Sequence, residues 1–211
     1  MNKIGMFVVV VAFAATVAQA QTTSANIVGY SKINAVGGEL SLVALNFESS
    51  STTVADLIGD QLPANSKIHL WNGTGYSTSI KNSRSGWSAG TINRGDAFWI
   101  ESAGSAGTTN EIIVSGEVLT DATNTTTVAA GIDLVGYSFP VETTFGNTDL
   151  ANSLPANSKI HVWNGSGYQT AIKNSRSGWG TGANFVIGVN DGFWVETASE
   201  VQWSEERPFT F

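Results

Sequence analysis

The sequence predicts a mainly β protein of two tandem homologous domains, each β-sandwich- or barrel-like with one short helix. Three observations carry that expectation. Leu62 to Trp87 (LPANSKIHLWNGTGYSTSIKNSRSGW) recurs at Leu154 to Trp179 (LPANSKIHVWNGSGYQTAIKNSRSGW), with four of 26 positions changed and an offset of 92 residues. Only 13% of residues are charged while Gly, Ser, Thr and Asn are plentiful, a composition of short strands and polar turns. Short apolar runs, bounded by Gly, Pro or Asn, alternate between two faces as strands do. A 92-residue period exceeds the ~20–50 residues of a solenoid or propeller unit. It has the size of a small domain, which folds alone only marginally. The two copies are therefore expected to pack on each other about a pseudo-twofold axis. The link Thr120 to Thr127 is short and β-prone, which favours a fixed pair.

Taken in order, residues 1–20 read as a signal peptide. Lys3 supplies the positive charge, Gly5 to Val17 the apolar run, and Ala18-Gln19-Ala20 a small-x-small cleavage pattern. The expected domains are 21–120 and 121–211. Asn26 to Val36 and Leu40 to Phe47 read as strands joined at Gly37-Gly38, a hairpin signal. Val54, Leu57, Ile58 and Leu62 fall at helical spacing behind Thr53, a fitting N-cap, and Pro63 is expected to end that helix. Lys67 to Trp71 and Gly75 to Lys81 form a hairpin turned at Asn72-Gly73. Asn82 to Asn93 is a Ser/Gly-rich loop, and Asp96 to Glu101 and Glu111 to Leu119 are strands. In the second copy Val128 aligns with Val36, and Ile132 to Phe139 with Leu40 to Phe47. Asn147 to Leu154 aligns with the helix, Asp191 to Glu196 with Asp96 to Glu101, and Glu200 to Trp203 with the last strand. Three extra residues between Trp179 and Phe193 move the offset to 95.

The chain carries a formal charge of −7, and −8 without Lys3, with no Lys/Arg cluster. It is a poor match to nucleic acid, whose affinity rests on neutralising phosphates, and to anionic lipid. No membrane span is expected after signal cleavage. The absence of Cys removes disulfides, thiolate metal sites and a lipidated N-terminal Cys. His69 and His161, the only histidines, sit one in each copy and cannot supply a zinc set of three or four ligands. Asp96/Glu101 and Asp191/Glu196 point to opposite faces of one strand, so neither makes a glycosidase pair. Asp96 and Asp191 suit turn amides at the strand start. No nucleophile elbow, phosphate loop or calcium loop occurs. No cofactor is expected, and the chain reads as non-enzymatic.

Binding is the remaining chemistry. In Lys67 to Trp71, Ile68 and Leu70 share one face while Lys67, His69 and Trp71 share the other. The candidate ligand-binding residues are Trp71, Tyr76, Arg84 and Trp87, with Trp163, Tyr168, Arg176 and Trp179 as their copies. Read functionally, they form a platform on which sugar rings stack. Read structurally, Trp71 and Trp99 cover the second face of the sheet, each ring burying ~150–250 Å², roughly 4–6 kcal/mol gross at ~25 cal/mol/Å². Arg84 and Arg176 would then stack on the neighbouring Trp.

Asn26 to Tyr30 (NIVGY), Leu42 to Phe47, Leu62 to Tyr76 (LPxxSxIxxWNGxxY), Gly86-Trp87 and Gly95 to Ile100 (GDxFWI) form a pattern spanning the mature chain. It resembles a loosely defined group of secreted bacterial β-repeat proteins. The second copy departs from it where Asn190 replaces the Gly before Asp191. The resemblance implies an exported β-repeat protein and transfers no catalytic residue. The expected role is a secreted, extracellular or cell-surface structural or adhesive protein. The alternative is a glycan-binding module, with polysaccharide or cell-surface glycan as partner. Unpaired edge strands leave self-association open.

Overall fold

The computed structural model describes residues 27–211; the segment read as a signal peptide lies outside them. Fifteen strands and two short helices make a mainly β protein. In the first repeat these are β1 (Val28–Val36), β2 (Leu40–Ala44), α1 (Val54–Ile58), β3 (Lys67–Trp71), β4 (Tyr76–Asn82), β5 (Gly86–Trp87), β6 (Ala97–Glu101) and β7 (Thr109–Glu117). In the second they are β8 (Thr123–Val128), β9 (Gly131–Gly136), β10 (Thr143–Thr144), α2 (Asp149–Ser153), β11 (Lys159–Trp163), β12 (Tyr168–Ile172), β13 (Val186–Ile187), β14 (Gly192–Thr197) and β15 (Val201–Glu206).

The two repeats have matching topology. The first has a sheet of order β2-β6-β3-β4-β5 and a separate ribbon β1-β7; the second has β9-β14-β11-β12 and the ribbon β8-β15. All these pairs are antiparallel. In the first repeat the inner sheet face (Val43, Ile68, Phe98, Ile100) meets the ribbon (Ile33, Ala35, Ile112, Val114), the helix (Val54, Ile58) and Leu62 beyond it in one core. Val135, Ile160, Phe193 and Val195 do the same in the second, with Val128, Val201, Trp203 and Leu150. Leu119 joins the second core.

The outer sheet faces form a third cluster that joins the repeats: Leu42, Ala44, Ala97 and Trp99 from one, Leu134 and Trp194 from the other, with Trp71 and Trp163 against them. That is why Ala97-Phe98-Trp99-Ile100 is buried on both faces, since alternate side chains serve two different interiors. The seam is reciprocal. Val43 bridges Asp191 and Asp96 bridges Val135. Ala44 N donates to Asn190 O at 2.7 Å, and Gly136 N to Gly95 O at 2.9 Å. Each contact recurs with the repeats exchanged, which is the signature of a twofold interface, here within one chain.

At the axis the repeats differ in size. A Cβ on Gly136 would lie 2.2 Å from Ala44 Cβ, and one on Gly192 would lie 2.7 Å from Ala97 Cβ. Ala44 and Gly136 are copies of one position, as are Ala97 and Gly192. One repeat supplies the methyl groups and the other the room for them.

Several local expectations are corrected. Gly59, at φ 53°, ends α1 before Pro63 is reached, because its positive φ, which glycine tolerates, breaks the helix there. Thr53 caps it as expected, its Oγ1 accepting from Asp56 N at 3.1 Å. The Asn82 to Asn93 loop contains β5, which pairs Lys81 with Trp87. The three extra residues fall in a segment carrying a 3-10 turn, Gly180–Asn184, and the strand β13 paired with β10. Val128 matches Ala35 rather than Val36. Val128 pairs with Val201 and Ala35 with Asn110, and both Val128 and Ala35 point into their cores. One residue of slip turns a strand over, so it also sets Glu205 where the first repeat has Val114.

Candidate functional site

The residues proposed for binding divide into three environments. Trp71 and Trp163 lie in the seam. Trp71 meets Trp194 edge-on at 5.0 Å, and Trp99 meets Trp163 at 5.3 Å. Trp99 Nε1 donates to Tyr76 Oη at 3.0 Å, and Trp194 Nε1 to Tyr168 Oη at 2.9 Å. Edge-to-face pairs of this kind add ~0.5–1.5 kcal/mol beyond the area they bury. These indoles therefore cover the second face of each sheet by facing the other repeat, not solvent.

Trp87 and Trp179 sit elsewhere, against their own helices. Trp87 Nε1 donates to Gly59 O and Trp179 Nε1 to Ala151 O, each at 2.8 Å. They satisfy carbonyls that a helix end leaves without partners. The Lys of the same motif bonds carbonyls within or beyond the helix: Lys81 Nζ donates to Leu62 O, after α1, and Lys173 Nζ to Ala151 O, Asn152 O and Leu154 O at the end of α2. Arg84 and Arg176 are exposed. The stacking expected of them is replaced by Lys173, whose Nζ lies 5.9 Å from the Trp179 ring centroid. The motif's asparagines shape turns. Asn72 Oδ1 accepts from Thr74 N and Gly75 N, and Asn82 Oδ1 from Arg84 N and Ser85 N. Asn164 and Asn174 repeat both patterns.

Of the aromatic candidates, only the tyrosines are exposed. Tyr76 and Tyr168 are nearly half exposed, as are Leu40 and Ile132. Leu40, His69, Tyr76, Trp99, Glu101, Trp163 and Tyr168 line one shallow groove of about 430 Å³ that crosses from repeat to repeat. Sequence reading placed its aromatic residues on one face of a sheet. It could not show that the partner face belongs to the other copy, and it missed Leu40. The signal was available in retrospect: Leu40 and Ile132 are apolar copies that begin the strands beside the hairpins.

The groove has a fixed polar margin. His69 Nδ1 lies 3.0 Å from Thr78 Oγ1 and Nε2 3.2 Å from Glu101 Oε2. Lys67 Nζ donates to Glu101 Oε1 at 2.8 Å. The Lys67 hydrogen bond, with help from His69, holds the Glu101 carboxyl below its usual range. Lys159 does the same for Glu196, and burial lowers the basicity of His161. Asp96 and Asp191 serve turns, as expected: Asp96 Oδ2 accepts from Asn93 N and Asp191 Oδ2 from Gly188 N, each at 2.8 Å. Among the described residues, no three of His, Asp and Glu gather to hold a metal ion. The groove sets aromatic rings beside the Glu101 carboxylate and the His69 ring. No family model, curated protein or solved structure matches this chain.

Proposed function

We propose that this chain is an exported, non-enzymatic structural or adhesive protein that acts outside the cell or on its surface, as the resemblance to secreted β-repeat proteins implies. The two repeats act as one unit, and the strip of Leu40, Tyr76 and Tyr168 in the groove between them is its contact face. The observation that supports this most directly is the seam. Leu42, Ala44, Ala97, Trp99, Leu134 and Trp194 are buried there with Trp71 and Trp163 packed against them, and Leu40, Tyr76 and Tyr168 are the exposed apolar residues of the groove between the repeats. An apolar strip rimmed by ion pairs is the usual form of an interaction surface.

A second reading names the partner as polysaccharide. It is supported by the tyrosine rings, held in place by the Trp indoles and flanked by Glu101 and His69. The test is retention of residues 21–211 on insoluble polysaccharides, with Tyr76→Ala/Tyr168→Ala as the probe variant. Retention lost in that variant with folding intact supports the glycan reading. Retention unchanged by it removes the strip from the account. No retention on any polymer leaves the structural role, and sedimentation then asks for self-association.

A further inference from the structure

The tips of the two repeated hairpins carry asparagine followed by glycine, Asn72-Gly73 and Asn164-Gly165, and no other Asn-Gly pair occurs in the chain. All four residues are exposed. Each tip is a short loop closed by its own backbone, Asn72 N donating to Gly75 O and Asn164 N to Gly167 O, both at 3.0 Å. The asparagine side chain is held at one end only. Asn72 Oδ1 accepts from Thr74 N and Thr74 Oγ1, each at 3.1 Å, and from Gly75 N at 2.9 Å. Asn164 Oδ1 accepts from Ser166 N at 3.0 Å, Ser166 Oγ at 3.1 Å and Gly167 N at 2.9 Å. The Nδ2 of each asparagine, and the backbone N of Gly73 and of Gly165, donate to no described residue. A Cβ at either glycine would meet nothing within 4 Å, so water reaches the nitrogen beside it.

That arrangement favours loss of the amide. The three donors on Oδ1 draw electron density from Cγ and stabilise the charge that the oxygen gains when Cγ is attacked, as an oxyanion hole does. The attacking atom is the backbone nitrogen of the following glycine, which has no Cβ beside it to hinder the approach. The bond from that nitrogen to Cγ forms, the Cγ–Nδ2 bond breaks, and ammonia leaves carrying the glycine's proton. A cyclic imide remains, and one water opens it at either carbonyl to give aspartate or isoaspartate. Asn82 and Asn174 provide an internal comparison. Both are exposed, and their Oδ1 atoms also accept two backbone N–H groups each, from Arg84 and Ser85 at 2.8 and 3.3 Å and from Arg176 and Ser177 at 2.8 and 3.3 Å. Serine follows each of them, Ser83 and Ser175, and its Cβ crowds the nitrogen that would attack.

We propose that Asn72 and Asn164 are modification sites, at which the folded protein loses its side-chain amide without an enzyme through an imide closed on Gly73 or Gly165. This goes beyond the adhesive reading and does not depend on it. Each event adds a carboxylate to an acidic chain. Isoaspartate also adds a backbone methylene to the loop between Trp71 and Tyr76, or between Trp163 and Tyr168, whose rings meet edge-on at 5.4 and 5.1 Å. The hairpin tips are thus the positions at which the protein changes with age, and the change is made next to the seam.

The test incubates the folded 21–211 chain in heavy-oxygen water at mildly alkaline pH, beside a sample held unfolded in urea, and then maps every asparagine by peptide mass and fragmentation. The expected result in the folded sample is uptake of one heavy oxygen, with both aspartate and isoaspartate formed, at Asn72 and Asn164. Asn82 and Asn174 keep their amides, and the loss quickens as the pH is raised, since the glycine nitrogen must give up its proton. Loss in the unfolded sample alone would mean that the turn shields the amide, and it overturns the proposal, as does loss in neither sample. Equal loss at Asn82 and Asn174 would overturn the role given to the glycine. Aspartate without isoaspartate would mean direct hydrolysis and would overturn the imide.

Discussion

The two repeats share a hairpin nearly residue for residue, yet their cores are built differently. The first is aliphatic where β7 meets the sheet: Leu45, Ile112 and Val114 fill the space. In the second, Tyr137, Trp203 and Glu205 occupy the matching positions. Glu205 is buried and accepts from Trp203 Nε1 at 2.6 Å, Asp149 N at 2.8 Å and Tyr137 Oη at 3.2 Å. Its partners make the burial tolerable, and burial still pushes its carboxyl up and the Tyr137 phenol up with it. The lesson is that the repeated motif fixes the sheet and the seam, while the ribbon that closes each core was free to diverge. A second, smaller divergence, Ala against Gly at the axis, makes the halves complementary rather than interchangeable.

That comparison can be broken in order of expected effect. Glu205→Ala strands three buried donors, each worth ~1–3 kcal/mol when unpaired, so a loss of roughly 3 kcal/mol or more is expected in urea unfolding. Val114→Ala, its counterpart, should cost less, since it removes only packing. Next comes the axis. Gly136→Ala should cost ~1–3 kcal/mol by overpacking, and Ala44→Gly in the same chain should recover most of it. No recovery would mean the Ala/Gly match is incidental.

A third prediction sharpens the electrostatic difference. Glu205 has a folded pKa above its unfolded value, ~4.3, so the native state holds its proton longer. Its stabilising contribution is complete below pH ~4.3 and is lost as the pH rises through the folded value. Glu101 has a lowered pKa and behaves oppositely, its contribution present at higher pH and lost on acidification. Glu205→Gln can keep the hydrogen bonds, with its amide donating to Tyr137 Oη. It should abolish the fall in stability on raising the pH from ~4.3, read by denaturant titration across that range. The smallest effect concerns the helix ends. Trp87→Phe and Trp179→Phe each lose one hydrogen bond, ~0.5–1.5 kcal/mol. The second should cost more because Trp179 is the more buried ring.

Much of this was legible from the chain. The strands, the hairpin turns at Asn72 and Asn164, the Thr53 cap and the turn roles of Asp96 and Asp191 follow from local chemistry, and local chemistry is what a sequence carries. The double-sided burial of Ala97 to Ile100 was half legible. Alternation showed two faces, but nothing local says that the second face meets another copy of itself. The slip between Val36 and Val128 was hidden for the same reason. The face turned inward decides it, since Val128 and Ala35 are buried and Val36 is only half-buried, and the flanking residues differ too much between copies to align. Trp87 and Trp179 misled because a Trp in a Gly/Ser-rich loop looks available, while its partner is a carbonyl 28 residues away.

The account rests on the seam: the hairpin indoles hold the repeats to each other. The most direct measurement is a double-mutant cycle on Trp71 and Trp194, using Trp71→Ala, Trp194→Ala and the pair, by equilibrium unfolding. A coupling of ~0.5–1.5 kcal/mol, the worth of an edge-to-face aromatic pair, is the predicted result. Strict additivity of the two losses would mean that the indoles do not touch across the repeats in solution, and the seam would have to be abandoned.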